Sequence, residues 1–389
     1  MLTPLLFYQL LILAVLLVLL GIVVVNLVVL PSITKYEPSA TQPGAAILVP
    51  ARNEEANIES CLNALLAQTY PNYEVWLYDD ASTDATLKIA RRIAASQHAI
   101  TALHIVEGTG DPPPGWLGKA NACDQLYTAM RERSDPEYLL FTDADVRHAP
   151  TALAYAVATA QAREAGLLSI FPRQVTATWA ERLAVPTMQH WAVYGILPLP
   201  LAFMARTGPA FAAANGQFLL FTREAYRACG GHITVRNEIL EDVALARAVK
   251  RSGQSALLAD GGPLVQTRMY EGLAGVWQGY SKNTYAFFGY SPFFLALGII
   301  TLLALYVLPP ATALSTLFTG QFNVELFFLP LAQYIVAVLT RLLLALRFAS
   351  RPLDSLLNPA SILFLAAICV NSMLWSLRGK SAWKGRTNI

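Results

Sequence analysis

The first 34 residues contain no charged side chain, and the run from Leu5 to Leu30 is nearly all aliphatic. A stretch that long and that apolar is enough to cross a bilayer as a helix. A secretory signal would show a basic start, a shorter apolar core and a small-residue cleavage site, and none is clear here. The first charge is Lys35, which sets the following segment on the cytoplasmic side. Composition agrees with a membrane protein: 55% of the 389 residues are hydrophobic and 14% charged, where soluble domains carry about a quarter. The apolar residues gather at the two ends. Phe287 to Phe318, Leu326 to Leu346 and Pro359 to Leu377 are further long apolar stretches, the first broken by Pro309-Pro310. The expected organisation is a transmembrane helix over 1–34, a soluble domain over 45–285, membrane segments over 287–378 and a basic tail over 379–389. Arg347 and Arg351 precede the last stretch, while Arg378, Lys380, Lys384 and Arg386 follow it. With the more basic tail and the soluble domain both cytoplasmic, the C-terminal crossings are even in number, so the first stretch is expected to re-enter.

The soluble part alternates strand and helix patterns. Ala46 to Pro50, Tyr73 to Tyr78, Ile100 to Val106 and Tyr138 to Asp143 read as strands, with helices over Ile58 to Gln68, Ala85 to Ala95 and Lys119 to Arg131 between them. Leu167 to Phe171 and Gly216 to Phe221 extend the strand set, and a helix begins near Asp242. Alternation with short loops predicts an α/β fold, a mostly parallel sheet covered on both faces. The segment from Trp179 to Ala205 is apolar and broken by prolines; an interfacial segment and a buried core helix fit it equally. A net charge of +2 gives no reason to expect nucleic acid as a partner. Cys61, Cys123, Cys229 and Cys369 show no paired spacing, so reduced thiols are expected rather than a zinc site or disulfides. His98, His104, His148, His190 and His232 are scattered without metal spacing.

In parallel sheets ligands bind beyond the carboxyl ends of the strands, and Asn53, Asp79, Asp80 and Asp145 all fall there. Asp143 and Asp145 follow a strand one residue apart, so strand alternation points them the same way. Two hard oxygen ligands at a sheet edge can hold a divalent cation and leave positions open for a diphosphate. Asp80 to Asp84 also reads as a plain helix cap, and Asp242 as an N-cap.

Val49-Pro50-Ala51-Arg52-Asn53-Glu54-Glu55, Asp79 to Asp84, Thr142 to Asp145 and Glu241-Asp242 occur in the order seen in family 2 glycosyltransferases, which this chain resembles. Pro114-Gly115-Trp116-Leu117-Gly118-Lys119-Ala120-Asn121-Ala122 looks more narrowly like the membrane-bound bacterial branch that glycosylates carotenoids and other polyisoprenoid lipids, and Trp383 to Arg386 resembles the tails of that group. The resemblance implies a GT-A fold (Rossmann-like), a cytoplasmic catalytic domain at a bacterial inner membrane, and inverting transfer of a hexose, with UDP-glucose the first choice of donor. It further implies that Pro50, Asn53 and Glu55 lie against the nucleotide, and that Asp79 or, preferably, Asp80 accepts from the base. By the same resemblance Lys119 meets the diphosphate at a helix N-terminus. Asp145 ligates Mg²⁺ or Mn²⁺, with Asp143 supporting it or touching the ribose. Asp242, beside Glu241, is the general base.

One departure matters. Relatives such as ceramide glucosyltransferases and processive synthases carry a Gln/Arg-X-X-Arg-Trp motif, and here the comparable place reads Trp277-Gln278-Gly279-Tyr280-Ser281-Lys282-Asn283. A polysaccharide acceptor is thereby disfavoured. Trp277, Tyr280 and Lys282 are expected to take over, with Lys282 or Arg268 as a diphosphate cation and Gly216-Gln217 lining the acceptor pocket. The expected acceptor is a membrane lipid, first a hydroxylated or carboxylated carotenoid, then a hopanoid, sterol, diacylglycerol, ceramide-like lipid or polyprenyl phosphate. From other classes, a transporter is disfavoured by membrane stretches nearly free of ionisable residues. An inactive scaffold is disfavoured by the presence of Asp80, Asp145 and Asp242.

Overall fold

The computed structural model describes residues 3–39, 41–96, 103–204 and 209–378, with the backbone of 382–383 and 386–387. His98, residues 100–102 of the expected third strand, and Lys380 and Lys384 of the tail lie outside the described residues.

Helix α1 (Pro4–Val29) leads to β1 (Ala45–Ala51), α2 (Ile58–Leu66), β2 (Tyr73–Asp79), α3 (Thr86–Ser96), β3 (Leu103–Glu107), α4 (Gly118–Arg131) and β4 (Tyr138–Thr142). After a turn come β5 (Val146–His148), α5 (Ala152–Ala162), β6 (Leu167–Phe171) and β7 (Arg173–Gln174). The sheet runs β3-β2-β1-β4, then continues through β8 (Phe218–Thr222), β6 and β9 (Ala256–Asp260). β1, β2, β3 and β4 pair in parallel, and β8 alone runs against both its neighbours. A second sheet sets β10 (Val265–Thr267) between β5 and β7.

Strand alternation explains the three layers. Ile47 and Val49 face α2, α3 and α5 through Leu62, Ile93 and Val157. Ala46 and Leu48 face the other way, onto Cys123 and Leu126 of α4 and Leu245 and Val249 of α10 (Glu241–Arg251). Both faces of β1 are therefore dry, as its uninterrupted apolar sequence requires. The strand order reverses between β1 and β4, and that reversal opens a crevice at their carboxyl ends.

Two sequence expectations shift here. β4 stops at Thr142, one residue early, and the Val146 N–H donates to the Asp143 carbonyl at 3.3 Å. Asp143 and Asp145 therefore sit on a turn rather than on alternating strand positions. Helix α10 begins at Glu241 with Leu240 at the N-cap, so Asp242 is inside the first turn and does not cap it.

The segment after β7 is not one continuous core helix but a run of short pieces. It is α6 (Trp179–Pro186), a π-helical turn over 187–191, and the short α7 (Ala192–Tyr194) and α8 (Leu199–Phe203). Asn26 of α1 clamps it: its Nδ2 donates to the carbonyls of Tyr194 and Leu197 at 2.7 Å each, and its Oδ1 accepts from the Leu199 N–H at 2.8 Å. A short α9 (Arg223–Ala228) follows β8. Beyond β10 come α11 (Gly272–Ser281), α12 (Thr284–Phe287), α13 (Pro292–Tyr306), α14 (Leu308–Thr319), α15 (Leu329–Arg347) and α16 (Asn358–Leu377). Three helical stretches, Pro4–Val29, Val324–Arg347 and Pro352–Leu377, are long and apolar enough to cross a membrane. The expected first C-terminal stretch is split at Val307 into α13 and α14, with Pro309 and Pro310 in the opening turn of α14. α13 itself joins Gly272–Phe287 at a bend of 111°.

Candidate functional site

A cleft of about 520 Å³ lies at the carboxyl ends of β1 and β4. Pro50, Lys119, Asp143, Asp145, Gln217 and Glu241 line it, together with Arg268 and Lys282. Each arrives by a definite route. Pro50 closes β1, the two aspartates occupy the turn after β4, and Gln217 immediately precedes β8. Lys119 is the second residue of α4 and Glu241 the first of α10, so two helix N-termini converge on the same space.

Lys119 organises the centre. Its Nζ is 2.8 Å from Asp143 Oδ1 and 3.0 Å from Glu241 Oε1. Burial works against the ammonium, but Asp143 and then Glu241 outweigh it and hold its pKa well above the ordinary lysine value. Behind Glu241, Asp242 Oδ2 accepts from the Gly216 N–H at 2.8 Å and Oδ1 from the Val243 N–H at 2.7 Å. Burial first, and Glu241 second, push the Asp242 carboxyl up to about 7, against Lys119 and those two N–H groups. A Cβ at Gly216 would come within 3.0 Å of Lys119 Nζ and 3.3 Å of Glu241 Oε1, so an added methyl would make these side chains give by a few tenths of an ångström.

Asp143 and Asp145 fit a divalent ion that takes few protein ligands. No group of three or more His, Cys, Asp or Glu side chains is placed for an ion among the described residues. Mg²⁺ in particular is held by one or two carboxylates plus substrate phosphates and water. One oxygen of Asp143 is engaged by Lys119, and the same turn brings Asp145 to the cleft beside it.

Other expected residues fall elsewhere. Asn53 and Glu55 lace two loops together beside the cleft: Asn53 Oδ1 accepts from the Thr83 N–H at 2.9 Å and Glu55 Oε2 from the Ala85 N–H at 3.0 Å. Asn53 takes the left-handed conformation (φ 52°) that asparagine tolerates. Asp84 accepts from the Thr86 N–H at 2.9 Å, the helix-capping role its spacing suggested. Asp79 and Asp80 are buried at the end of β2, outside the cleft lining. Asp79 Oδ2 accepts from the Ser82 N–H at 3.1 Å, and Arg52 lies 4.0 Å from Asp80 Oδ2.

On α11 the helical period separates the expected acceptor residues. Lys282 faces the cleft, Tyr280 turns inward against Tyr270 with ring centroids 4.9 Å apart, and Trp277 lies on the outer face against Phe364, 6.0 Å away. Arg268 reaches the cleft but is held by Glu181, Nη2 to Oε1 at 3.0 Å. Glu181 is fully buried. Burial alone would raise its pKa, but Arg268 and the N–H groups of Gly272 and Ala177 bring it down to about 2. His148 and His232 are buried and bonded to Thr142 Oγ1 and the Tyr226 hydroxyl at 3.1 and 2.8 Å. All four cysteines are free and buried.

Sequence reasoning did not single out Tyr270 and Glu54, both of which line the cleft. Tyr270 follows Arg268 directly after β10, a strand-end position of the kind that marked the aspartates.

The family model for glycosyl transferase family 2 matches residues 46–196. The 4,4'-diaponeurosporenoate glycosyltransferases of Staphylococcus aureus strains USA300 and MRSA252 are each 31% identical over 241 residues. That alignment covers 61% of this chain and 60% of theirs, so the chain spans about three fifths of the length of these relatives. In architecture the chain is similar to a mannosyltransferase from Pyrobaculum calidifontis solved with GDP-Man and Mn²⁺. That likeness has a TM-score of 0.52 at 19% identity and covers 94% of this chain and 99% of that one. Residues 46–196 thus resemble glycosyl transferase family 2, and the chain has a GT-A, Rossmann-like sheet that runs on through β8 and β9, with helices towards both ends that could span a membrane.

Proposed function

We propose that the chain is an inverting glycosyltransferase that moves a hexose from a nucleoside diphosphate, UDP-glucose first, to a lipid acceptor at the membrane. The carrying observation is the convergence of Asp143, Asp145, Lys119 and Glu241 on one cleft at the sheet's reversal point, with Asp242 directly behind Glu241. The wall opposite is made by residues leading into α11, beside the helices that could span a membrane.

In this reading Pro50 and the ends of β1 and β2, with Asp79 or Asp80, hold the base, and Asp145 with Asp143 holds Mg²⁺ or Mn²⁺. The bound ion supplies charge neutralisation on the leaving diphosphate. Lys119 and the α4 N-terminus present positive charge to the same oxygens. Asp242 takes the proton of an acceptor hydroxyl, and its raised pKa keeps it basic yet reprotonable near neutrality. Transfer with inversion needs no nucleophilic side chain. Asn53 and Glu55 support the base pocket by lacing its loops instead of touching the base.

The diaponeurosporenoate relatives favour a carotenoid acceptor. A hydroxyl and a carboxyl end ask different things of Asp242. A carboxylate is already ionised near neutral pH and has no proton to lose.

The test is transfer of labelled sugar in membranes containing the full chain, with and without Mn²⁺ or Mg²⁺. UDP-glucose and GDP-mannose are compared as donors, hydroxylated and carboxylated carotenoids as acceptors. Transfer to a carotenoid that stops on chelation, returns with metal and needs a higher metal concentration in Asp145→Asn is expected. No transfer from any nucleotide sugar by folded protein overturns the reading.

A further inference from the structure

Helix α11 shows three faces. Its N-terminal approach, Met269 to Glu271, and the residues just after it, Lys282 and Asn283, line the catalytic cleft. Val276 and Tyr280 are buried against Val185 and Ile368. Leu273, Ala274, Trp277 and Gln278, spaced as one helical face, line a separate groove of about 610 Å³. The other walls are Trp179, the first residue of α6, and Phe364 of α16.

Phe364 sits between the two tryptophans, with ring centroids 6.0 Å from each. Trp179 remains 54% exposed and Leu273 46%. A groove walled by three aromatic rings, with almost nothing polar in it, is unstable against water. Here one wall belongs to Pro352–Leu377, long and apolar enough to cross a membrane, so a bilayer spanned by that helix would cover this wall. Such a groove suits a hydrocarbon chain better than a peptide or a soluble ligand.

The groove and the cleft share a wall. Glu181, two residues after Trp179, accepts from the Gly272 N–H at 2.7 Å and from Arg268 Nη2 at 3.0 Å. The Thr178–Glu181 capping box holds the start of α6 rigidly to that junction. A chain in the groove thus lies along the helix whose two ends border the cleft.

Resting on the function proposed above, we propose that this groove holds the apolar chain of the lipid acceptor along Trp179, Phe364 and Trp277, while its polar end turns over α11 into the cleft. Flat, conjugated or branched chains suit aromatic walls better than saturated ones.

The test uses the full chain in nanodiscs with a short and a long isoprenoid alcohol as acceptors, and Trp277→Ala, Phe364→Ala and the milder Trp277→Phe. Wild type should prefer the long acceptor. The alanine variants should raise its KM about tenfold, as loss of one apolar anchor does. KM for the nucleotide sugar and for the short acceptor should stay as in wild type, which also reports that the variants fold. A chain-length preference unchanged in both alanine variants overturns the proposal.

Binding is read separately, by quenching of tryptophan fluorescence by a polyene in wild type and Trp277→Phe. Saturable quenching that falls in the variant supports the groove even if no sugar is transferred, an outcome that would sink only the proposed activity. Quenching by brominated bulk phospholipid as deep as by the polyene makes the groove ordinary lipid boundary and overturns the proposal.

Discussion

Lys119 bridges two acids that belong to different strands and helices, and the charge balance of the cleft depends on it. Gly216 leaves room for this packing. Gly216→Ala would press a methyl group against Lys119 Nζ and Glu241 Oε1, and the expected outcome is a large fall in kcat with little change in Tm. For Asp242 the expectation depends on the acceptor. With a hydroxyl acceptor, Asp242→Asn should cut kcat about 10²–10⁴-fold while nucleotide binding persists. With a carboxylate acceptor the loss should be much smaller. The pH profile carries the same information: kcat/KM for a hydroxyl acceptor should rise with pH and level off above about 7, as Asp242 loses its proton. Stability should move the other way. The folded chain keeps that proton up to about 7, while the unfolded chain releases it near 3.8, so stability falls as pH rises through that window. Asp242→Asn should flatten that slope in thermal unfolding. The carboxylates themselves were legible from their spacing after strands. That Asn53 and Glu55 spend their oxygens on Thr83 and Ala85 was not, because the two loops meet only when β1 and β2 pair.

Among elements, α11 is where periodicity and function part company. Trp277, Tyr280 and Lys282 look like one cluster in sequence, yet a turn of about 100° per residue sends them to three different surroundings. Gly279 shows how tight the inner face is, since a Cβ there would stand 2.1 Å from the Tyr270 ring. Glycine to alanine inside a helix ordinarily stabilises by up to about 1 kcal/mol. Here Gly279→Ala should lower Tm and kcat/KM together by driving Tyr270 off the cleft wall. Adding Tyr270→Ala should recover Tm but not activity, a double-mutant comparison that isolates the clash. Six strands of the large sheet were readable, most of them to within a residue or two, because buried strands write themselves as continuous apolar runs, whereas β5, β7, β9 and β10 were not read. The broken segment from α6 to α8 was not, because what satisfies its backbone is Asn26, far away in α1.

At the scale of the molecule, the sheet and the long apolar helices are tied to one another. The Asp260 N–H at the end of β9 donates to the Pro31 carbonyl at 2.9 Å, just after α1. The Asp260 carboxylate is held by Arg347 at the end of α15. Within the helices, Gln333 Nε2 donates to the carbonyl and to Oε1 of Gln9, at 2.8 Å each. Arg341 bonds Thr187 Oγ1 at 2.9 Å and Asn358 Oδ1 at 3.3 Å. Arg347→Met would strand the Asp260 carboxylate and should cost about 1–3 kcal/mol, read as a lower Tm in detergent that Asp260→Asn partly restores. The sequence by itself determined the class of fold, the long apolar runs towards both ends and the acids at the strand ends. Those are written in short-range patterns: apolar run length, strand–helix alternation and residues after a strand. Only the tertiary structure decided that Lys119 joins Asp143 to Glu241, that Arg268 is taken by Glu181, and that Trp277 faces a groove instead of the cleft. Such partners lie more than twenty residues apart, and no local pattern records which of them the folded chain brings within 3 Å.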